Sequence, residues 1–462
     1  MSVIPSIDSR RRLRATARAL ILILAVLVHT GCMTPKRVGH LGGPVGPTGG
    51  TGPGGPVLVR IGMVENAPAV DLVGDGRWRL SAGAYDEGRL TMVAGEGLSL
   101  VRGPHGVSLV DTSRTLKAPW LVATPVDPDH TLRWDGRPWR GELHVIPTPD
   151  GAGLTVINVV ELERYLSGVV PREIGNGRER GDLAAVAAQA VAARTYTVSR
   201  LGSKDTQGFD LYSDVRDQAY GGVDWEDELC NEALELTRGL VMRRGEELSP
   251  AYYHSTCGGH TAAVGAIWPY DDHPVLQGRK DQRPDGRPWC AASRYANWET
   301  VWTWAELETA LQSSLPEYLD YVNNIAGPRW ARGAFSPSSG DATGDQPGRL
   351  LKLEVRRRTG SGRVAELAVT TAAGTYVVRG DRTRWVLRPP TGVSTLLRSS
   401  WFELTVDSGR SVKAVGRGWG HGLGLCQMGA LGRARAGQSF RDILGHYYPG
   451  TRLAPLSRGG GR

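Results

Sequence analysis

The sequence predicts an α+β protein in which β-rich lobes surround an alanine-rich helix. From Val57 to Pro149, short runs of alternating apolar and polar residues are separated by Gly, Asp and Pro, which is typical of successive β-strands. After Asp182, apolar residues instead recur at 3.6-residue spacing and seven alanines occur within ten residues, which indicates a long helix packed closely on its neighbours. Strand-like runs resume between Leu350 and Val378.

The amino terminus has the features of an export signal. Five arginines between residues 10 and 18 precede the ten apolar residues Ala19–Val28. Ten residues are too few to span a bilayer and fit the hydrophobic region of a signal peptide. The sequence Thr30-Gly31-Cys32 is similar to the end of a bacterial lipoprotein signal and predicts a lipid on Cys32, although His29 stands where an aliphatic residue is usual. An uncleaved anchor is the alternative, and both interpretations place the rest of the chain outside the cytoplasm.

The amino-acid composition indicates which class of molecule the protein binds. Lys and Arg total 55 against 47 Asp and Glu, and this modest excess of +8 suits anionic glycans or lipid surfaces. Export and the lack of an aromatic module dense in Lys and Arg argue against nucleic acid. Four cysteines besides Cys32 are an even number for an exported chain, so disulfides with three possible connectivities are one interpretation. These four are Cys230, Cys257, Cys290 and Cys426.

The stretch Gly168–Tyr196 combines a glutamate with the alanine-rich helix. Pro171 predicts a turn, so we expect Glu173 in a loop that precedes a helix capped by Asp182. Arg194 falls on the apolar face of that helix and needs an anionic partner if it is buried. Glu173 is one candidate partner, and extension of Arg194 to solvent is the alternative.

This stretch, read as GVVPREI followed by LAAVAAQAVAARTY, resembles the signature of the SpoIID/LytB family, which includes sporulation stage II protein D and the amidase enhancers. Two further motifs occur in the family's order, AYYHSTCGGH at 251–260 and GRGWGHGLGLCQMGA at 416–430. The sequence departs from the family at Arg172 and Cys426, where serine is usual. The resemblance covers residues 57–453.

The resemblance implies a peptidoglycan lytic transglycosylase with Glu173 as its single acid and base. Such an enzyme cleaves the bond between N-acetylmuramic acid and N-acetylglucosamine in peptide-stripped glycan strands and leaves 1,6-anhydro ends. It requires no cofactor for catalysis. The residues that we expect to bind substrate in a glycan-binding cleft are Gln189, Arg194, Tyr196, Tyr253, His254, Ser255, His421 and Gln427.

Two other functions compete with this interpretation. One is a non-catalytic, glycan-binding activator of a cell-wall amidase, and the retained Glu173 favours the enzyme over it. The other is a zinc-dependent peptide or amide hydrolase, which would need an open metal position.

A Cys/His cluster in the second motif has three interpretations, one of which is that His254 and Ser255 line the glycan cleft whatever the cysteines do. His254, Cys257 and His260 are spaced by three residues and Cys290 lies 33 residues beyond Cys257. Two Cys and two His would form a closed, structural zinc site. A Cys257–Cys290 disulfide is the alternative and suits an oxidising compartment.

Together these observations predict an exported protein of the cell envelope, lipid-anchored to the outer or cytoplasmic membrane and facing the wall. Its expected partners are glycan strands, the membrane through the lipid, and a cell-wall amidase. The predicted organisation is a signal peptide at 1–32, a Gly/Pro-rich tether at 33–56, a β-rich part at 57–160, a catalytic core at 161–294, a C-terminal part closing the cleft at 295–453, and a tail at 454–462.

Overall fold

The computed structural model describes residues 55–82, 89–110, 116–149, 151–340, 342–390 and 395–456. The expected signal peptide, Cys32 and most of the tether lie outside the described residues. Within those ranges, every helix is too short or too polar to cross a membrane.

The described strands and helices follow one another along the chain as a mixture, which confirms the α+β prediction. The strands are β1 (Leu58–Ala67), β2 (Ala69–Gly74), β3 (Trp78–Ala82), β4 (Leu90–Met92), β5 (Gly97–Gly103), β6 (Gly106–Leu109), β7 (Lys117–Ala118), β8 (Leu121–Pro125), β9 (Leu132–Trp134), β10 (Arg137–Trp139), β11 (Glu142–Pro147), β12 (Leu154–Glu161), β13 (Leu211–Tyr212), β14 (Leu240–Arg244), β15 (Glu247–Leu248), β16 (Tyr253–His254), β17 (Asn297–Thr303), β18 (Phe335–Pro337), β19 (Leu350–Arg358), β20 (Val364–Thr371), β21 (Gly374–Arg379), β22 (Phe402–Asp407), β23 (Ser411–Arg417), β24 (Leu425–Cys426) and β25 (Arg452–Pro455). The helices are α1 (Leu162–Ile174), α2 (Leu183–Ser199), α3 (Glu228–Leu236), α4 (Val264–Ile267), α5 (Trp304–Tyr321), α6 (Pro328–Ala331), α7 (Thr383–Val386), α8 (Gln427–Ala434) and α9 (Phe440–Tyr447).

The first twelve strands form two sheets that lead into α1. One sheet has the order β13-β1-β12-β11-β8-β3-β4 and the other β10-β9-β2-β5-β6-β7. Strand β12 is buried along almost its whole length and continues directly into α1. The long sheet therefore fixes where α1 begins.

Helix α2 is the centre of the main core. Every residue from 185 to 195 is fully buried, and the helix packs against α1, α3, β14, α8 and α9. Alanine at so many positions leaves little side-chain bulk, so these neighbours approach the α2 backbone closely. The predicted long alanine-rich helix is confirmed.

The expected turn at Pro171 is wrong, because α1 runs through this proline and ends at Ile174. A proline inside a helix costs about 3 kcal/mol. Burial of an apolar side chain contributes about 1.5–3 kcal/mol, and Leu166, Val169 and Val170 are all fully buried here. Tertiary packing thus outweighs the local preference, and Glu173 lies on the last helical turn instead of in a loop.

A second hydrophobic cluster is built from residues between 298 and 414. It contains the three-stranded sheet β17-β23-β22, the four-stranded sheet β18-β21-β20-β19 and the helix α5. Trp298 and Trp302 are buried in it.

After this cluster the chain returns to the main core. Strand β24 pairs in parallel with β16, so that Tyr253 faces Leu425 and His254 faces Cys426. Strand β25 pairs with β14. The pairing of β24 with β16 brings the glycine-rich motif at 416–430 beside the motif that begins at Ala251.

Candidate functional site

The sequence motifs meet around the carboxyl group of Glu173, a residue that is partly exposed to solvent. The backbone N–H of Ala219 donates a hydrogen bond of 2.8 Å to Glu173 Oε1. The side chains of Gln427, at the start of α8, and Tyr253, in β16, also lie near this carboxyl and favour its charged form. Residues from three other segments of the chain therefore converge on the Glu173 carboxyl group.

The surroundings of Glu173 raise its pKa from the ordinary 4.5 to about 7. The main cause is burial, which disfavours the charged form. The hydrogen bond from Ala219, the polar side chains of Gln427 and Tyr253, and the positive charge of Arg172 oppose this effect without cancelling it. A carboxyl group with a pKa near 7 populates both its protonated and its ionised form at neutral pH, which is what acid–base catalysis requires.

Two residues that hold this arrangement were missed as site residues by the sequence analysis. Gln218 is fully buried, and its Nε2 donates to Tyr253 Oη at 2.9 Å. Its Oε1 accepts from Thr197 Oγ1 at 2.7 Å, which ties it to α2. Ala219 follows directly and supplies the backbone donor. The signal for both was the segment QAYGG at 218–222, which lies between the first two motifs.

Gln189 and Gln427 form a second layer behind Glu173. Gln189 is fully buried in α2, and Gln427 is 7 % exposed. Gln427 Nε2 lies 3.5 Å from Gln189 Oε1. Gln189 therefore reaches the site through Gln427 and does not offer a surface to a glycan.

The expectation that Arg194 binds substrate needs correction. Arg194 is fully buried, and it pairs with Glu163 through Nη2–Oε2 at 2.6 Å and Nε–Oε1 at 2.8 Å. Its Nη1 donates to the Leu240 carbonyl at 3.2 Å. Glu163 lies in the first turn of α1, whereas Glu173 lies in its last, roughly 15 Å away along a helix. Arg194 is thus a structural cation with the anionic partner that its burial demands, and that partner is Glu163.

Tyr196 packs against residues of the candidate site. It is 8 % exposed, and its hydroxyl donates to Asp217 Oδ1 at 3.0 Å. Its ring meets the edges of Tyr252 and Tyr253 at centroid distances of 6.1 and 6.4 Å. Tyr196 thus packs against Tyr253 and leaves little surface for a ligand.

His254, Ser255 and His421 lie together beside Tyr253. His254 is buried, and its Nδ1 bonds to the Leu423 carbonyl at 3.0 Å. Burial keeps the pKa of His254 well below its ordinary value and lowers that of His421 to about 4, so both rings are neutral near pH 7. Ser255 and His421 are half-buried, and the His421 ring lies 5.1 Å from that of Trp268. These residues offer partly exposed polar and aromatic surface without adding charge.

The structure does not bring together the predicted set of two Cys and two His. Instead, Cys257, Cys290 and Cys426 lie with their sulfur atoms within 4.8 Å of one another, and all three are buried. The His260 Nδ1 atom bonds to the Thr261 carbonyl at 2.6 Å, and His254 is held by Leu423. The β16–β24 pairing places Cys426 opposite His254, and the Cys426 sulfur accepts a hydrogen bond from the N–H of Cys257 at 3.2 Å. A turn through Gly258 and Gly259 then leads His260 away.

The Cys257 and Cys290 sulfur atoms are 3.6 Å apart and are not bonded. A disulfide bond measures about 2.05 Å. The expected Cys257–Cys290 disulfide is therefore not part of this structure. Cys230 is also a buried free cysteine, and it lies in α3.

Comparison with known proteins relates two parts of the chain to described families. The family model for stage II sporulation protein matches residues 150–243, which include Glu173 and the whole of α2. A second model, for a domain of unknown function, matches residues 337–424.

Similar proteins extend this relationship over about two thirds of the chain. The amidase enhancer of Bacillus subtilis (strain 168) is 28% identical over 337 residues, which are 69% of this chain but only 44% of the relative. Stage II sporulation protein D of the same organism is 26% identical over 324 residues, covering 67% of this chain and 78% of the relative. An uncharacterized protein of Brachyspira hyodysenteriae is 26% identical over 328 residues, covering 70% of this chain and 74% of the relative.

The residues that match the family model contain the glutamate and the helix of the first motif. The two named Bacillus relatives are an amidase enhancer and a stage II sporulation protein D, the two kinds of protein that the SpoIID/LytB family includes. Residues 150–243, which contain Glu173 and α2, belong to the SpoIID family.

Proposed function

We propose that this chain is a peptidoglycan lytic transglycosylase in which Glu173 is the single acid and base. The family is related to the bacterial cell wall, and the observation that carries the proposal is the carboxyl group of Glu173. Its pKa is about 7, it accepts a hydrogen bond from the backbone N–H of Ala219, and the side chains of Gln427 and Tyr253 lie near it and favour its charged form. Among the described residues, the groups that affect this pKa most do not include a second carboxylate. One carboxyl that both donates and accepts a proton suits a reaction whose nucleophile belongs to the substrate.

The reaction begins with protonated Glu173. Its proton passes to the oxygen that links N-acetylmuramic acid to N-acetylglucosamine, and the bond from that oxygen to the muramic C1 breaks. The muramic C6 hydroxyl then attacks C1, and its proton passes to the Glu173 carboxylate. The products are a 1,6-anhydro end and a free C4 hydroxyl, no water is consumed, and Glu173 is again protonated.

The neighbours of Glu173 have complementary roles in this cycle. Ala219 N–H and the Tyr253 and Gln427 side chains stabilise the carboxylate that exists between the two proton transfers. Burial favours the protonated form with which the cycle starts. The opposing effects keep the two forms close in free energy, so neither proton transfer is strongly uphill.

The partly exposed residues beside Glu173 supply the surface for a glycan strand. Tyr253, Ser255 and His421 are half-buried, and Trp268 adds an aromatic ring next to His421. Aromatic rings and neutral polar groups suit sugar rings, which offer apolar faces and hydroxyl groups. In this proposal the protein acts in the cell envelope, held there by a lipid on Cys32.

The type of product tests this proposal. Purified chain is incubated with intact sacculi and with sacculi stripped of peptides by an amidase, and the released fragments are examined by mass spectrometry before and after borohydride reduction. We expect 1,6-anhydro ends, which borohydride does not reduce, and we expect more of them from stripped strands. Release of reducible ends would instead indicate a hydrolase and contradict the proposal.

A second candidate function follows from one comparison. A relative that is 28% identical is named an amidase enhancer, so a non-catalytic chain that binds glycan and activates an amidase is the alternative. If the purified chain releases no ends of either kind but raises the rate of an added cell-wall amidase, this alternative replaces the enzyme.

A further inference from the structure

An exposed arginine stands directly beside the candidate acid. Arg172 immediately precedes Glu173 in the last turn of α1, at a position where serine is usual in the family. Arg172 is exposed, and its positive charge lowers the pKa of Glu173. The guanidinium of Arg172 therefore lies close to the place where the bond to be cleaved would sit.

An aromatic ring holds the side chain of Arg172. The guanidinium carbon of Arg172 lies 4.6 Å from the ring centroid of Trp225, which is half-buried. A cation over the face of an aromatic ring is attracted by the electrons of that ring. This contact limits the rotamers of a long side chain, so less conformational freedom is lost when a ligand binds to it.

The backbone at Gly221 leaves room for the contact between arginine and tryptophan. A Cβ atom at this position would lie 2.3 Å from Trp225 Cδ1 and 2.6 Å from Arg172 Cδ, which is closer than unbonded carbon atoms approach. Gly221 follows Ala219 by two residues, and Ala219 donates its N–H to Glu173. One short segment therefore supports both the carboxyl of the candidate acid and the guanidinium beside it.

The guanidinium of Arg172 has no anionic partner within the part of the chain that the structure describes. The next two arginines along the chain are both engaged, since Arg178 donates to the Ile174 carbonyl at 2.9 Å and Arg180 pairs with Glu232. A planar guanidinium with unused N–H groups is suited to a carboxylate, which it binds through two parallel hydrogen bonds. The position of Arg172 thus favours an anionic group on the ligand.

The substrate of the proposed reaction carries such a group on the sugar whose bond is broken. In intact peptidoglycan the lactyl group of muramic acid is joined to a peptide through an uncharged amide. An amidase hydrolyses that amide, the peptide leaves with a free amine, and the lactyl carboxyl remains ionised at neutral pH. Peptide-stripped strands therefore gain one negative charge at each muramic acid from which the peptide is removed.

We propose that Arg172 binds the lactyl carboxylate of the muramic acid whose glycosidic bond breaks at Glu173, an inference that rests on the proposed function for its substrate. Because the lactyl group and C1 belong to one sugar ring, a receptor for this carboxylate must lie close to the acid, as Arg172 does. An unstripped strand offers an uncharged amide there instead. Arg172 is thus a residue that selects stripped strands by charge, which a serine at this position does not do.

Binding of defined oligosaccharides tests this proposal without requiring cleavage. Chains of alternating N-acetylglucosamine and N-acetylmuramic acid with free lactyl carboxylates are compared with the same chains after carbodiimide coupling to methylamine, which leaves an uncharged methylamide. Calorimetric titration of the Glu173→Gln variant, which prevents turnover, should show about tenfold tighter binding of the carboxylate form. Adding Arg172→Ser should reduce binding of the carboxylate form to the affinity of the methylamide form.

Two further variants in the same Glu173→Gln background separate recognition from packing. Arg180→Ser removes an exposed positive charge nearby and should keep the preference, because Arg180 already pairs with Glu232. Arg172→Lys keeps the charge without the planar pair of donors and should show an intermediate preference. Equal binding of the two forms by the Glu173→Gln variant, or a full preference that remains in folded Arg172→Ser, would overturn the proposal.

The rate of cleavage by the parent chain separates this proposal from the proposed function. If the parent cleaves no glycan but Arg172 still distinguishes the two forms in titration, the enzyme assignment fails and the carboxylate site stands. If the parent releases 1,6-anhydro ends from carboxylate and methylamide strands at the same rate, and titration shows no preference, the carboxylate site fails and the enzyme assignment stands.

Discussion

The side-chain amide of Gln218 donates a hydrogen bond of 2.9 Å to the hydroxyl of Tyr253. Because that hydroxyl accepts from Gln218, its own proton is available for the nearby Glu173 carboxyl, whose charged form Tyr253 favours. A fully buried glutamine thus sets the direction in which a tyrosine in the candidate site donates.

Tyr253→Phe should raise the pKa of Glu173 above about 7, because the Tyr253 hydroxyl lowers it. In a rate profile for release of glycan fragments, the fall in activity at high pH should move to higher pH. Tyr252→Phe is the control, because that hydroxyl accepts from Arg200 at 3.3 Å. An unchanged profile in Tyr253→Phe would show that the tyrosine does not act on this carboxyl.

The raised pKa of Glu173 also predicts how stability depends on pH. The folded chain binds this proton more tightly than the unfolded chain does, so the resulting stability is fully present below about pH 4.5 and is lost as pH rises through about 7. Glu173→Gln has no such proton to lose. Its free energy of unfolding relative to the parent should therefore increase between pH 4.5 and pH 7 and stay constant above, by about 1–3 kcal/mol. Urea unfolding at pH 4.5, 6 and 8 checks this, and a difference that does not change with pH would contradict the raised pKa.

The buried pair of Arg194 and Glu163 predicts a loss of stability without a specific loss of glycan binding. Arg194→Met leaves Glu163 without its cation, and removal of one partner of a buried ion pair costs about 3–5 kcal/mol. The double variant Arg194→Met with Glu163→Gln should recover part of this loss in urea unfolding. Glycan binding per folded molecule should stay at the parent value, and a large loss of affinity in a folded Arg194→Met variant would restore its role as a substrate ligand.

Much of this architecture could be predicted because it is local in the sequence. The 3.6-residue spacing of apolar residues and the run of alanines predicted α2, and the motif around Glu173 predicted the carboxyl that the other motifs surround. Gln427 and Tyr253 were predicted as site residues for the same reason, since each lies in a motif with a characteristic pattern.

The remaining features depend on contacts between distant residues. Pro171 stays helical because buried neighbours on α1 outweigh its local preference. Arg194 could pair with either of two glutamates in α1. Only the packing of α1 against α2 in the folded chain places Glu163 beside it. Cys426, which lies beside Cys257, is 169 residues away from it along the chain, beyond the reach of any spacing argument.

Glu173→Gln in an assay of 1,6-anhydro ends tests the central claim most directly. The amide fills the same space but cannot donate and accept the proton, so release from peptide-stripped strands should fall by about 10²–10⁴-fold while glycan binding stays near the parent value. Glu179→Gln makes the same chemical change at an exposed position six residues along the chain and should release ends at the parent rate. Release of 1,6-anhydro ends by Glu173→Gln at the rate of Glu179→Gln would contradict the assignment of Glu173 as the acid and base.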